Sequence, residues 1–196
     1  MNKLIEHLEE VTVRFAGDSG DGMQLVGTQF SDTSGFAGNE VNTFPDYPSE
    51  IRAPEGTLYG VSAFQVHFGQ KNIHTTGDFV DVLVAMNAAS LKVNLANVKA
   101  GGIIIANTEG FDDRNLKLAG YTNHPLENNS LANYLVFPVD MSKELKKAFI
   151  EVDIPSKLVQ RTKNMFALGI TYWLFSRPLE CFLLLCQDHD LKIPRC

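Results

Sequence analysis

The chain has 196 residues, 44% apolar and 20% charged, enough for one domain with a short appendage and a packed core. Seventeen basic against twenty-three acidic side chains leave a net charge of −6, which excludes the basic footprint of a nucleic-acid binder. The cysteines, Cys181, Cys186 and Cys196, all lie in the last 16 residues and form neither a disulfide framework nor a four-thiolate iron–sulfur motif.

The acidic stretch Met1–Glu10 lacks the apolar run of a signal peptide. The most apolar stretch, Trp173 to Cys186, is interrupted by Arg177, Pro178 and Glu180 and is too short to span a bilayer. The expectation is a soluble cytoplasmic protein with no membrane partner.

Residues 11–16 alternate apolar with polar or basic side chains and run into a glycine cluster, the pattern of a strand ending in a tight loop. Beyond the loop, Met23, Val26, Gly27 and Phe30 fall on one face of a helix. Residues 61–67 alternate less cleanly and read as a strand, for which both parallel and antiparallel pairing stay open. The runs 82–86 and 102–106 are apolar without alternation, as in parallel strands covered on both faces, and 88–98 between them has the length and spacing of a crossover helix. A strand is predicted over 134–139, followed by an amphipathic helix marked by Leu145, Phe149 and Val152.

The last predicted helix, about 156–176, carries no charge from Met165 to Phe175. Such an apolar girdle requires burial on more than one side, by the tail or by another polypeptide. An isolated chain should therefore self-associate. Trp173 and Tyr172 within it read as core. The fold class is a three-layer α/β/α, Rossmann-like domain with a mostly parallel, possibly mixed, sheet.

Gly17-Asp18-Ser19-Gly20-Asp21-Gly22 carries most of the functional information. Glycines after a strand admit a ligand close to the backbone, and the following helix offers free N–H groups with a partial positive charge, a combination suited to phosphate. The spacing is G-x-x-G-x-G, not the dinucleotide pattern G-x-G-x-x-G, and no lysine follows as in the Walker loop. Asp18 and Asp21 would oppose a phosphate unless their side chains turn away.

Four other readings stand beside the phosphate loop. A bare turn would have Ser19 or Asp21 capping the helix. A nucleophilic Ser19 lacks a suitably spaced histidine, since His189 sits in Gln187-Asp188-His189-Asp190. A magnesium–thiamine motif would pair Asp21 with Asn42. A free-standing nucleotide-binding module is the alternative of another class. Among the remaining histidines, His67 and His74 read as structural or solvated rather than zinc ligands, and His124 as loop surface.

Three further segments join the loop in one order: 44–54 (Phe44-Pro45-Asp46-Tyr47-Pro48-Ser49-Glu50-Ile51-Arg52-Ala53-Pro54), 56–68 (Gly56-Thr57-Leu58-Tyr59-Gly60 onward) and 163–169 (Lys163-Asn164-Met165-Phe166-Ala167-Leu168-Gly169). Together they resemble the γ-type domain of 2-oxoacid:ferredoxin oxidoreductases, nearest to the N-terminal part of the 2-oxoglutarate type α subunit. The resemblance spans about residues 11–176, with a lead-in at 1–10 and an atypical tail at 177–196.

It implies a component of an enzyme that decarboxylates a 2-oxoacid, transfers the acyl group to coenzyme A and passes electrons to ferredoxin. Thiamine diphosphate, magnesium and the iron–sulfur clusters would belong to partner subunits or domains, leaving this chain silent alone. Carried over by position, the contacts on the coenzyme A side are Gly17, Ser19, Gly20, Asp21, Gly22, Arg52, Gly56 and Thr57. Arg52 offers a fork of donors for phosphate or carboxylate, or else a structural ion pair with Glu50 or Glu55. The cysteine-bearing tail departs from the family pattern and reads as a truncation, a frameshift or an authentic short end.

Overall fold

Val11, Val13 and Phe15 point to one side of a strand, Thr12, Arg14 and Ala16 to the other, and all six are buried. A strand with no solvent face must lie inside a covered sheet. In the computed structural model, which describes residues 7–48, 60–180 and 182–183, β1 (Glu10–Asp18) does so.

The remaining elements in chain order are α1 (Met23–Phe36), β2 (Glu40–Asp46), β3 (Val61–Gly69), β4 (Val80–Ala85), α2 (Ala88–Asn94), β5 (Val98–Asn107), α3 (Asp113–Leu118), β6 (Leu135–Val139), α4 (Met141–Ala148), α5 (Ser156–Arg161) and α6 (Lys163–Leu174). The sheet runs β2-β3-β1-β4-β5-β6. β1, β4, β5 and β6 pair in parallel, while β3 is antiparallel to both β1 and β2.

Helices cover both faces, giving the expected three layers. Phe15, Val66, Val84 and Ile105 meet α1, α4 and α6 through Phe30, Met141 and Leu168. On the other face Leu83, Ala85 and Ile104 meet α2 and α3 through Leu91 and Leu116. Gly27 lets α1 lie close to β3, because a Cβ there would come within 2.2 Å of the Phe64 ring.

The structure corrects several expectations. β2 is an additional strand: a half-exposed edge strand with Asn42 and Pro45 shows no apolar alternation, and an edge position tolerates the missing proline N–H. The helix expected over about 156–176 breaks at Thr162, whose N–H and hydroxyl both donate to the Val159 carbonyl, at 3.0 and 2.7 Å, and divert it from helical pairing. α4 stops at Ala148, leaving Phe149 at its end and Val152 exposed beyond it. α6 is one-sided: Ala167, Leu168, Thr171 and Tyr172 are buried, whereas Trp173 is 66% exposed and is not core. Phe182 from the tail packs edge-on against Tyr172 at 5.9 Å. Among the described residues no helix is long and apolar enough to cross a membrane.

Candidate functional site

The two crossovers leave β1 and β4 in opposite directions: β1 leads through α1 to one edge, β4 through α2 and on through α3 to the other. Such a switch point opens a crevice at the carboxyl ends of the strands. The glycine loop sits there, tied to β4 by the Met86 N–H donating to the Ala16 carbonyl at 2.9 Å.

The loop is folded by its own carboxylates. Asp21 Oδ2 accepts the Asp18 N–H at 2.8 Å, and the Asp21 N–H returns to the Asp18 carbonyl at 3.0 Å. This closes a turn over Gly17, where a Cβ would stand 2.6 Å from Asp21 Oδ2. Asp18 Oδ1 accepts from Asn87 Nδ2 at 2.8 Å, and Asn87 caps α2 in a reciprocal capping box with Ser90. Burial raises both aspartate pKa values; the Asn87 bond partly offsets this in Asp18, and the Asp18 N–H and Lys163 do so in Asp21.

With the carboxylates held inward, the outer surface of the loop is backbone. The cap residue of α1 is Gly22 in the left-handed region (φ 74°), with no side-chain cap, which corrects the expectation of Ser19 or Asp21 in that role. Among the described residues the N–H groups of Gly20, Gly22 and Met23 have no acceptor. A Cβ on Gly20 would meet nothing within 4 Å, and the φ there is not positive, so the described fold does not itself require glycine at this position. Ser19 is exposed.

A second group of side chains approaches from α6. A Cβ on Gly22 would lie 2.5 Å from Asn164 Nδ2. Beside it, Lys163 Nζ donates to Glu109 Oε2 at 2.6 Å, and the Ser142 hydroxyl donates to the same oxygen. Burial pushes the Glu109 carboxyl up, but the Lys163 and Ser142 bonds outweigh it and hold it below the usual range.

The structure thus brings Gly17, Ser19, Gly20, Asp21 and Gly22 together, whereas Arg52, Gly56 and Thr57 lie outside the described residues. It adds Asn87, Glu109, Ser142, Lys163 and Asn164, which the sequence reading does not single out as site residues. Asn87 has a legible signal, an N-cap residue between an apolar strand and a helix. Lys163 and Asn164 stand in the fourth family segment.

The pairing of Asp21 with Asn42 is excluded by register. Asn42 faces His67 and, through it, Thr12 near the start of β1. Asp18 is six residues further along, or about 20 Å at strand rise. His67 is structural: its Nδ1 lies 2.7 Å from the Thr75 carbonyl and its Nε2 3.4 Å from Glu10. Among the described residues no three potential ligands gather for a metal ion.

Known proteins resemble this chain in sequence and in fold. Over 175 residues the chain is 48% identical to the 2-oxoglutarate oxidoreductase subunit KorA of Mycobacterium tuberculosis, covering 89% of this chain and 27% of that one. The fold matches the 2-oxoglutarate:ferredoxin oxidoreductase of Magnetococcus marinus, solved with 2-oxoglutarate, coenzyme A and succinyl-CoA bound (TM-score 0.69, 24% identity, 93% of this chain and 27% of that one). It also matches the gamma subunit of a keto/oxoacid ferredoxin oxidoreductase from Geobacter sulfurreducens (0.61, 16%, 91% and 86%). The chain therefore spans about a quarter of the first two relatives and most of the third. The family model described as pyruvate ferredoxin/flavodoxin oxidoreductase matches residues 12–182, and the chain belongs to that family.

Proposed function

We propose that the chain, over residues 11–176, serves as the γ-type domain of a 2-oxoglutarate:ferredoxin oxidoreductase, completing the complex and helping to seat coenzyme A. The identity of 48% to a 2-oxoglutarate oxidoreductase subunit carries this reading. Thiamine diphosphate, magnesium and the iron–sulfur clusters are assigned to partner subunits or domains, with ferredoxin as the indirect partner and the cytoplasm as location.

Coenzyme A supplies the thiol that takes up the acyl group. The loop fits an anionic group on such a ligand. The N–H groups of Gly20, Gly22 and Met23 lack acceptors among the described residues, and the first turn of α1 adds a partial positive charge. Asp18 and Asp21 direct their charge to the Asn87 amide and the Asp18 N–H, where it shapes the turn. Gly17 leaves room for that fold, and the exposed Ser19 hydroxyl stands beside the donors. Arg52, Gly56 and Thr57 are assigned to the same ligand as a guanidinium fork, a close backbone approach and a hydroxyl.

Calorimetric titration of the chain with coenzyme A, NAD and ATP tests the reading. Heat with coenzyme A that disappears in Gly20→Val is expected, because that side chain blocks the donors without straining the described fold. Binding of NAD in place of coenzyme A would favour the free-standing nucleotide module. Heat with none, together with capture of a thiamine-binding partner, would leave an interface role alone.

A further inference from the structure

Charge is unevenly distributed along this acidic chain. Residues 141–163 carry six basic and three acidic side chains, whereas the rest carries eleven and twenty. The segment includes α4, which places Lys143, Lys146 and Lys147 at i, i+3 and i+4, all exposed. Like charges at that spacing weaken a helix slightly, and the buried contacts of α4 come from Met141, Ser142 and Leu145 instead. The two lysines of the last turn gain from the helix dipole, but Lys143, in the first turn, does not.

Lys147 pairs with Glu144 at 2.7 Å; Lys143 and Lys146 have no ion pair among the described residues. These lysines line an open groove of about 690 Å³ together with Asp140, whose carboxylate caps α4, and Glu109, which is paired with Lys163; Ile150, 82% exposed, closes it at the far end of α4. A small anion would leave most of its surface in water in so open a groove. An extended polypeptide would instead meet the ammonium groups with carboxylates and cover Ile150 with an apolar side chain, satisfying both features.

We propose that the α4 groove is a docking surface for an acidic segment of a partner protein, with Lys143 and Lys146 contributing the charge and Ile150 the apolar anchor. This stands independently of the glycine loop's ligand. The experiment is fluorescence anisotropy of the full chain with a fluorescein-labelled peptide of glutamate pairs alternating with leucines, over a range of sodium chloride concentrations. Binding should weaken with salt, since exposed pairs are screened over about 8 Å at physiological ionic strength.

The double variant Lys143→Glu/Lys146→Glu should weaken binding about tenfold or more and flatten the salt dependence. Ile150→Ser should weaken it severalfold at every salt concentration. Both variants alter exposed side chains, so unchanged melting temperatures will confirm that the fold is intact. The proposal is overturned by no peptide binding, by binding indifferent to the charge reversal, or by displacement by inorganic pyrophosphate as readily as by unlabelled peptide. Binding to vesicles of anionic lipid that the reversal abolishes, with no peptide binding, would also overturn it in favour of a membrane surface.

Discussion

The two faces of the sheet are built from different materials. On the α1/α6 face, Phe30 stands among Phe15, Phe68, Tyr172 and Phe175 with ring centroids 5.3 to 6.1 Å apart. On the α2/α3 face, Ala16, Ala63, Ala85, Ala88 and Ala106 let the helices sit close, and Leu83, Leu91 and Ile104 fill what remains. That second face turns polar toward β3. Buried Arg14 donates to Asn94 at 2.6 Å and Gln65 at 3.2 Å and pairs with Asp46, while Gln65 reaches the Thr76 and Gly77 carbonyls. One face is held by ring area, the other by satisfied polar groups that tie β1 and β3 to α2 and the β3–β4 loop.

Truncation should separate these modes most sharply. Phe30→Ala removes the shared ring of the aromatic face and should cost about 3–5 kcal/mol in urea unfolding. Arg14→Met strips the donor from Asn94 and Gln65 and should cost about 2–4 kcal/mol. Adding Asp46→Asn should recover part of that loss; no recovery would show that the polar network contributes little as a unit. Gly27→Ala forces a methyl against Phe64 and should cost about 1–3 kcal/mol, detectable as a lower melting temperature.

The smallest effects lie at the rim and depend on pH with opposite signs. The Asp21 carboxyl is raised by burial, so its contribution is complete below the ordinary aspartate value of about 3.9 and is lost as pH rises through its higher folded value. Asp21→Asn should flatten that fall in stability, as read from urea melts at successive pH values. Glu109, held low, contributes above the ordinary glutamate value of about 4.3 and loses its contribution as pH falls through its lower folded value. Its side chain is 48% exposed, so Glu109→Gln should cost no more than about 1 kcal/mol at pH 7 and less in acid.

Much of the architecture of the sheet interior is legible locally. The uninterrupted apolar run Val82–Met86 and the Ile103-Ile104-Ile105 triplet read as strands covered on both faces, and both lie inside the sheet. The strand–glycine–helix order likewise places the loop at a strand end. β2 escapes because edge pairing leaves no periodic signature, and the break at Thr162 escapes because a hydroxyl competing for a carbonyl does not change the apolar pattern. The site is half legible: Gly17 to Gly22 are contiguous, whereas Asn87, Glu109 and Lys163 come from separate elements.

Local features follow from the order of residues alone: that the strongly periodic or uninterrupted apolar segments are helices and strands, where backbone amides gather after β1, and that an acidic chain carries a basic stretch over residues 141–163. These rest on side-chain period, glycine freedom and charge, which need no partner from elsewhere in the chain. The inward turn of Asp18 and Asp21, the position of Asn164 over Gly22 and the outward face of Trp173 are settled by packing in three dimensions. Each depends on which distant elements the crossovers bring together, and pairwise contact across the sheet is not written in the spacing of residues along one element.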